Sequence, residues 1–184
     1  MKIKTGLYIA AAFCLLAFSA TSCSDDDEVS VEPLTEESVR GDYAGSILAG
    51  TGEAADAALS VGDDIIIADF PVDSIVKLAV PASAYNEAMA SVSAVCCTVG
   101  YSAKVYGLNL LLALRPDPLE FEVNYEGTGH KIVAELYASL NGNFNGSDQS
   151  LSFELLLKTL TVDGNEVNVK EALPYKFSGY KLQE

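Results

Sequence analysis

The chain has no tryptophan, a single histidine, four cysteines and only 11 lysines and arginines against 26 acidic residues. Each scarcity removes a class of function. With a net charge of −15, the protein lacks the basic footprint that nucleic acid or an anionic lipid surface requires, so neither is expected as a partner. One histidine, His130, and no second cysteine pair at ligand spacing leave no zinc site, and no metal or other cofactor is expected. Cysteine use is sparse, two of the four being the adjacent Cys96 and Cys97, and no disulfide framework is implied. Neighbours on a strand point to opposite faces. The pair is therefore read as one buried and one outward thiol rather than a strained vicinal bridge.

Long apolar runs are missing except at the N-terminus. Lys2 and Lys4 form a short basic patch, and Leu7 to Ala20 carries no charge. That is the layout of a secretory signal, and a run of about 14 residues is too short for a hydrocarbon core that needs about 20. Small residues follow. Ala20-Thr21-Ser22-Cys23 resembles the lipobox of bacterial lipoproteins, which implies cleavage before Cys23 and acylation of its thiol and new amine. Cys14 fits less well, because Phe13 stands where a small residue is wanted. Ordinary signal-peptidase cleavage after Ser22 is the plain alternative and would leave Cys23 a free thiol. Losing residues 1–22 removes Lys2 and Lys4 but no acid, which moves the net charge from −15 to −17.

The expected organisation is a signal over 1–22, a lipidated cysteine and acidic tether over 23–39, and one β-rich domain over 40–184. The tether assignment rests on its acidic, polar composition with Pro33 inside. Beyond Arg40 the dominant period is two. Leu119 to Glu126 alternates apolar and polar without a fault, Ile132, Ala134, Leu136, Ala138 and Leu140 form one apolar face, and Leu151, Phe153, Leu155 and Leu157 form another. Turn signals at Gly127-Thr128-Gly129, Asn141-Gly142-Asn143 and Asp163-Gly164-Asn165 separate these strands. Hairpin wiring and an antiparallel sheet follow, closed as a β-barrel or stacked as a β-sandwich. Pro71–Ala79 and Pro81–Val92 instead follow helical spacing, each with proline in its first turn, and read as a short helical insertion that plugs the sheet. Leu108–Leu114 is apolar on both alternating faces. Its length favours a strand covered on both sides over a buried helix.

Few residues point to chemistry. Asn141 to Gly146 has the rhythm of a calcium loop but lacks carboxylates, with Ser152 at the closing position, so a hairpin loop is the better account. Asp63, Asp64 and Asp117 are acids that a glycosidase could use, although nothing in the sequence fixes their separation. His130 has no Gly-x-Ser-x-Gly elbow and reads as a solvated or pairing side chain. No glycine-rich phosphate loop is present. No catalytic residue is assigned.

Ser22-Cys23-Ser24-Asp25-Asp26-Asp27-Glu28 resembles the N-terminus of Bacteroidota lipoproteins. That resemblance implies that Ser24, Asp25, Asp26, Asp27 and Glu28 are an export signal read by lipoprotein processing and export machinery. It also implies an outer-membrane protein held by a lipid anchor and facing the cell exterior. Gly41-Asp42-Tyr43-Ala44-Gly45, followed by β-rich sequence with Asp69-Phe70-Pro71-Val72-Asp73-Ser74, resembles small lipoproteins of these bacteria, some with calycin-like barrels. Asp73-Ser74-Ile75 is similar to their O-glycosylation pattern, which would place a sugar on Ser74. Two functions are compatible with these readings. One is a surface-tethered binding or accessory module for a glycan, lipid or protein, and the other is a small extracytoplasmic hydrolase using paired carboxylates. A binding module needs a concave patch, for which Tyr43, Tyr101, Tyr106, Tyr125 and Tyr137 are candidates, although strand tyrosines are more often packing. A hydrolase needs convergent acids, or a nucleophile with its base.

Overall fold

The computed structural model describes residues 33–183, so the signal segment, Cys23 and Ser24–Glu28 lie outside the described residues. A turn of 3-10 helix, η1 (Glu36–Val39), leads into β1 (Gly41–Ala49), β2 (Ala54–Val61) and β3 (Asp64–Ile67). Two helices follow, α1 (Asp73–Ala79) and α2 (Tyr85–Ser91). Then come β4 (Cys97–Tyr106), β5 (Asn109–Pro116), β6 (Leu119–Tyr125), β7 (Thr128–Tyr137), β8 (Gly142–Asn145), β9 (Ser150–Val162), the short β10 (Asn165–Glu166) and β11 (Pro174–Lys181). The fold is mainly β, as the alternation requires.

Eight strands close a barrel in the order β1, β2, β3, β4, β5, β8, β9, β11, every neighbour antiparallel. Closure turns on β9. One of its edges pairs with β11 from Tyr180↔Ser150 to Pro174↔Leu156. The other edge takes β8 first and then β7, so the β6–β7 hairpin is carried beyond the closed ring. Two hairpins use tight turns: Asp163-Gly164 falls where the sequence predicts it, whereas the turn predicted at Gly127-Thr128-Gly129 lies one residue earlier, with Thr128 and Gly129 already in β7. Glu126-Gly127 and Asp163-Gly164 both have positive φ at each central residue, the backbone that matches strand twist.

The remaining turn signal is corrected. Asn141-Gly142-Asn143 is no hairpin, because β7 and β8 pair with successive stretches of β9 instead of with each other. The supposed calcium-like loop is therefore largely strand β8, and the turn falls later, where Asn145 Oδ1 accepts from the Ser147 amide and Asp148 Oδ1 from the Ser150 amide. The ambiguous apolar run is strand β5.

An eight-stranded barrel has an interior just wide enough to be filled by side chains. Tyr43, Tyr175, Phe70 and Phe144 are the largest fully buried ones. Tyr43 meets Phe144 edge-on at 6.5 Å, and Phe70 packs on Tyr175 at 4.7 Å. Burying each such ring contributes about 1.5–3 kcal/mol.

Each end of the barrel is covered. At one end η1 packs inward, with Val39 buried and its carbonyl accepting a 2.6 Å hydrogen bond from the buried Tyr43 hydroxyl, while Leu34 sits against Gly146. Residues 33–39, expected in the solvated tether, are thus part of the packed domain. At the other end Phe70, Ile75, Val76 and Ala88 turn inward and seat the helices. Both helices are shorter than their spacing suggested. Val80 is extended, as a residue before proline must be, and the Ala84 amide donates to Pro81 O in a turn, so the prolines lie ahead of the helices rather than in their first turns. Ser91 Oγ accepts from the Asn124 amide at 2.7 Å, which ties α2 to β6.

Candidate functional site

Concave surface occurs at both ends of the barrel: a depression of about 540 Å³ lined by Arg40, Asp42, Gln149 and Lys181 lies at the η1 end, and the rest is at the helix-capped end. A groove of about 600 Å³ runs between the β1–β2 turn, α1 and the irregular segment 168–174. An adjoining depression of about 500 Å³ shares Gly50, Thr51, Leu78 and Leu173 with it, so the two form one groove. Its apolar surface is Leu78, which is 42% exposed, together with the half-buried Leu173 and Val169. A third depression, on the outer face of β9, continues from it past Val169 and Ala172 to Tyr137 and Lys158.

The groove exists because segment 167–173 does not continue the sheet. The Val167 amide donates to Leu160 O and the Leu157 amide donates to Leu173 O, which pin the two ends of the segment to β9 while the residues between bow outward. Charge is unevenly placed along it. Asp73 accepts a hydrogen bond from the Tyr85 hydroxyl. Lys77, Lys158 and Lys170 line the concavities and have no ion-pair or hydrogen-bond partner among the described residues. By contrast Arg40, Lys131 and Lys176 are each paired with carboxylates elsewhere on the barrel.

No hydrogen bond joins the catalytic candidates to one another among the described residues. Asp63 is held by Arg40 at 2.9 Å. Asp64 opens β3, and Asp117 lies beyond β5 with its amide donating to Thr98 O. His130 Nδ1 meets Asp163 Oδ2 at 2.8 Å, the ring stacks on Tyr125 at 4.0 Å, and Asp163 Oδ1 accepts from the Lys131 amide. These bonds, that to His130 first, hold the Asp163 carboxyl below its ordinary 3.8. No hydroxyl or thiol is bonded to the imidazole among the described residues, and the unit fastens the β9–β10 turn to β7. Among the same residues, no group of three or more His, Cys, Asp or Glu could hold a metal ion.

Cys96 is exposed and Cys97 buried, both unbridged, and burial pushes the Cys97 thiol up to about 12. The five tyrosines do not form one patch. Tyr43, Tyr101 and Tyr125 are buried, and Tyr101 donates to Gly62 O. Tyr106 stands exposed on the β4–β5 turn, at the η1 end, and Tyr137 borders the outer depression at the helix-capped end. Ser74 lies in α1, half-buried, and lines the groove. The groove residues themselves escaped the sequence reading. The available signal was the stretch from Val167 to Leu173, which fits neither period.

A family described as "Domain of unknown function (DUF4840)" matches residues 38–162. The match ends before segment 167–173 and before β11, so one wall of the groove and the closing strand of the barrel lie beyond it. Neither the curated proteins nor the solved structures contain a match.

Proposed function

Because this chain belongs to the DUF4840 family, for which the family description gives no activity, we propose a function from the site alone: a lipid-anchored binding module that offers its helix-capped end to a ligand outside the cell. The observation that carries this reading is the position of the groove. It lies at the barrel end opposite the one where Leu34 and η1 pack. The lipobox-like Cys23 stands ten residues before Pro33, a reach of at most about 35 Å for extended chain. An acylated Cys23 would keep the domain within that reach of the bilayer. Val105, Tyr106 and Leu108 are exposed at the tip of the β4–β5 hairpin, on the η1 end.

Several acyl groups on one residue anchor a protein stably, whereas a single chain gives marginal binding, so Cys23 needs no second anchor. Asp25, Asp26 and Asp27 cannot aid adhesion to an anionic surface, which leaves them a recognition role as an export signal or the role of a solvated spacer, and the resemblance to Bacteroidota lipoproteins favours the first. A sugar on Ser74, at the rim of the adjoining depression, is the alternative use of this surface.

The test is made on intact cells and on the purified protein. The parent should incorporate an acyl label and be cleaved by added protease, and Cys23→Ala should incorporate none. The triple change of Asp25, Asp26 and Asp27 to Ala should leave the chain acylated but protected. A parent without acyl label would refute the anchor. Turnover of any ligand the purified protein binds would replace the binding module with a hydrolase.

A further inference from the structure

Resting on the binding-module reading, we propose that the groove takes a long-chain carboxylate. Its apolar chain lies along Val169, Leu173 and Leu78, and its carboxylate is held where Lys158 and Lys170 border Val169 and Ala172.

Two independent features lead there. The first is shape and polarity. The continuous groove has a volume of about 600 Å³ in its larger part, within the range of small-molecule sites. Leu78 is 42% exposed on it, although Ile75 and Val76 of the same helix are fully buried. The second is charge. In a chain with 26 acids and 11 lysines and arginines, four described lysines have neither ion-pair nor hydrogen-bond partner among the described residues. Three of them, Lys77, Lys158 and Lys170, line these concavities, and the fourth, Lys104, is on β4.

Two acids also face the groove. Asp73 stands at the Lys77 end and is engaged by Tyr85, and Glu171 flanks Lys170. The Lys77 end thus carries one lysine and one acid, whereas the depressions that meet at Val169 and Ala172 carry Lys158 and Lys170 against Glu171 alone. That imbalance places the anion at the Val169–Ala172 end and the hydrocarbon toward Leu78. A neutral amphiphile would gain only the apolar part, and a short carboxylate only the polar part.

The probe is dodecanoic acid carrying a terminal diazirine, used below its micelle-forming concentration, with the methyl ester of the same probe as the uncharged control. After irradiation the labelled peptides are mapped. The full chain is used in the form the cells yield, acylated in nanodiscs or unacylated in buffer. Failure of the anchor therefore leaves this measurement intact.

The acid should label residues within 74–78 and 168–174, unlabelled dodecanoate should compete, and the ester should label the same peptides about fivefold less. Changing both Lys158 and Lys170 to Gln should bring acid labelling down to the ester's level and leave the ester unaffected. Lys77→Gln should change either by less than twofold. Leu78→Asp, at a position 42% exposed, should abolish labelling by both probes while leaving the thermal melt cooperative. Raised salt should weaken the acid alone. Equal labelling by acid and ester, or label spread over the barrel without competition, would overturn the proposal. A glycan or protein ligand blocked by Leu78→Asp, with no dodecanoate labelling, would overturn it while leaving the binding module standing.

Discussion

Replacing Tyr175 by Phe should stabilise the protein. Tyr175 points into the barrel, 1% exposed, with its ring on Phe70 at 4.7 Å, and its hydroxyl is buried without a hydrogen-bond partner. A polar group taken out of water and left unpaired costs about 1–3 kcal/mol. The phenylalanine ring keeps the contact with Phe70, and the space left by one oxygen returns a few tenths of a kcal/mol at most, taking about 24 cal/mol per Å³ of cavity. The net gain is about 1 kcal/mol or more. For a domain of this size that is a rise in Tm of roughly 2–4 °C.

The same substitution should flatten the alkaline limb of stability. Burial, followed by the charge of Asp73, raises the Tyr175 phenol above its ordinary value of 10. A raised folded-state pKa means that the unfolded chain ionises first. The contribution of the neutral phenol is whole below pH 10 and is lost as pH rises above it. Thermal melts of parent and Tyr175→Phe from pH 7 to 11 check both claims. A fall in Tm of several degrees at pH 7 would refute the reasoning, because it would mean that the hydroxyl makes a bond, for instance through water to Asp73.

Gly45→Ala should cost at least about 2 kcal/mol, because its Cβ would strike the backbone of Ser178 and Gly179 across the β1–β11 pair that helps close the ring. Gly62→Ala, where nothing lies within 4 Å, is the control and should stay within about 0.5 kcal/mol in denaturant melts. Under native conditions iodoacetamide should modify Cys96 and spare Cys97, whose thiol burial pushes up to about 12; equal rates by mass spectrometry would contradict the assigned faces. Asp163 is held below 3.8, so its contribution is present above that value and is lost as pH falls through the lowered one. Asp163→Asn should therefore reduce the loss of stability in acid, and an unchanged acid limb in pH melts would remove the pairing with His130 from the account.

The β class, the strands from Leu119 onward, the Asp163-Gly164 turn and the helical insertion were legible because each is a local pattern. Alternation puts Leu119, Val123 and Tyr125 on one face whatever they pack against, and a glycine after Asp163 or Glu126 answers a backbone need that neighbouring residues set. The resemblance at Cys23 is likewise a contiguous motif. Tertiary structure alone decided which strands meet. Asn141-Gly142-Asn143 carries a turn signal, yet β9 is long enough to serve both β7 and β8 on one edge and β11 on the other, and this non-local pairing selects a closed barrel. It also drew residues 33–39 out of the tether, since the buried Tyr43 hydroxyl needs an acceptor and Val39 supplies one. The groove is non-local in the same sense. Lys77 and Lys170 lie on distant parts of the chain, and no periodicity relates them; only β11 returning to β9 brings segment 168–174 beside α1, where Leu78 is left facing water.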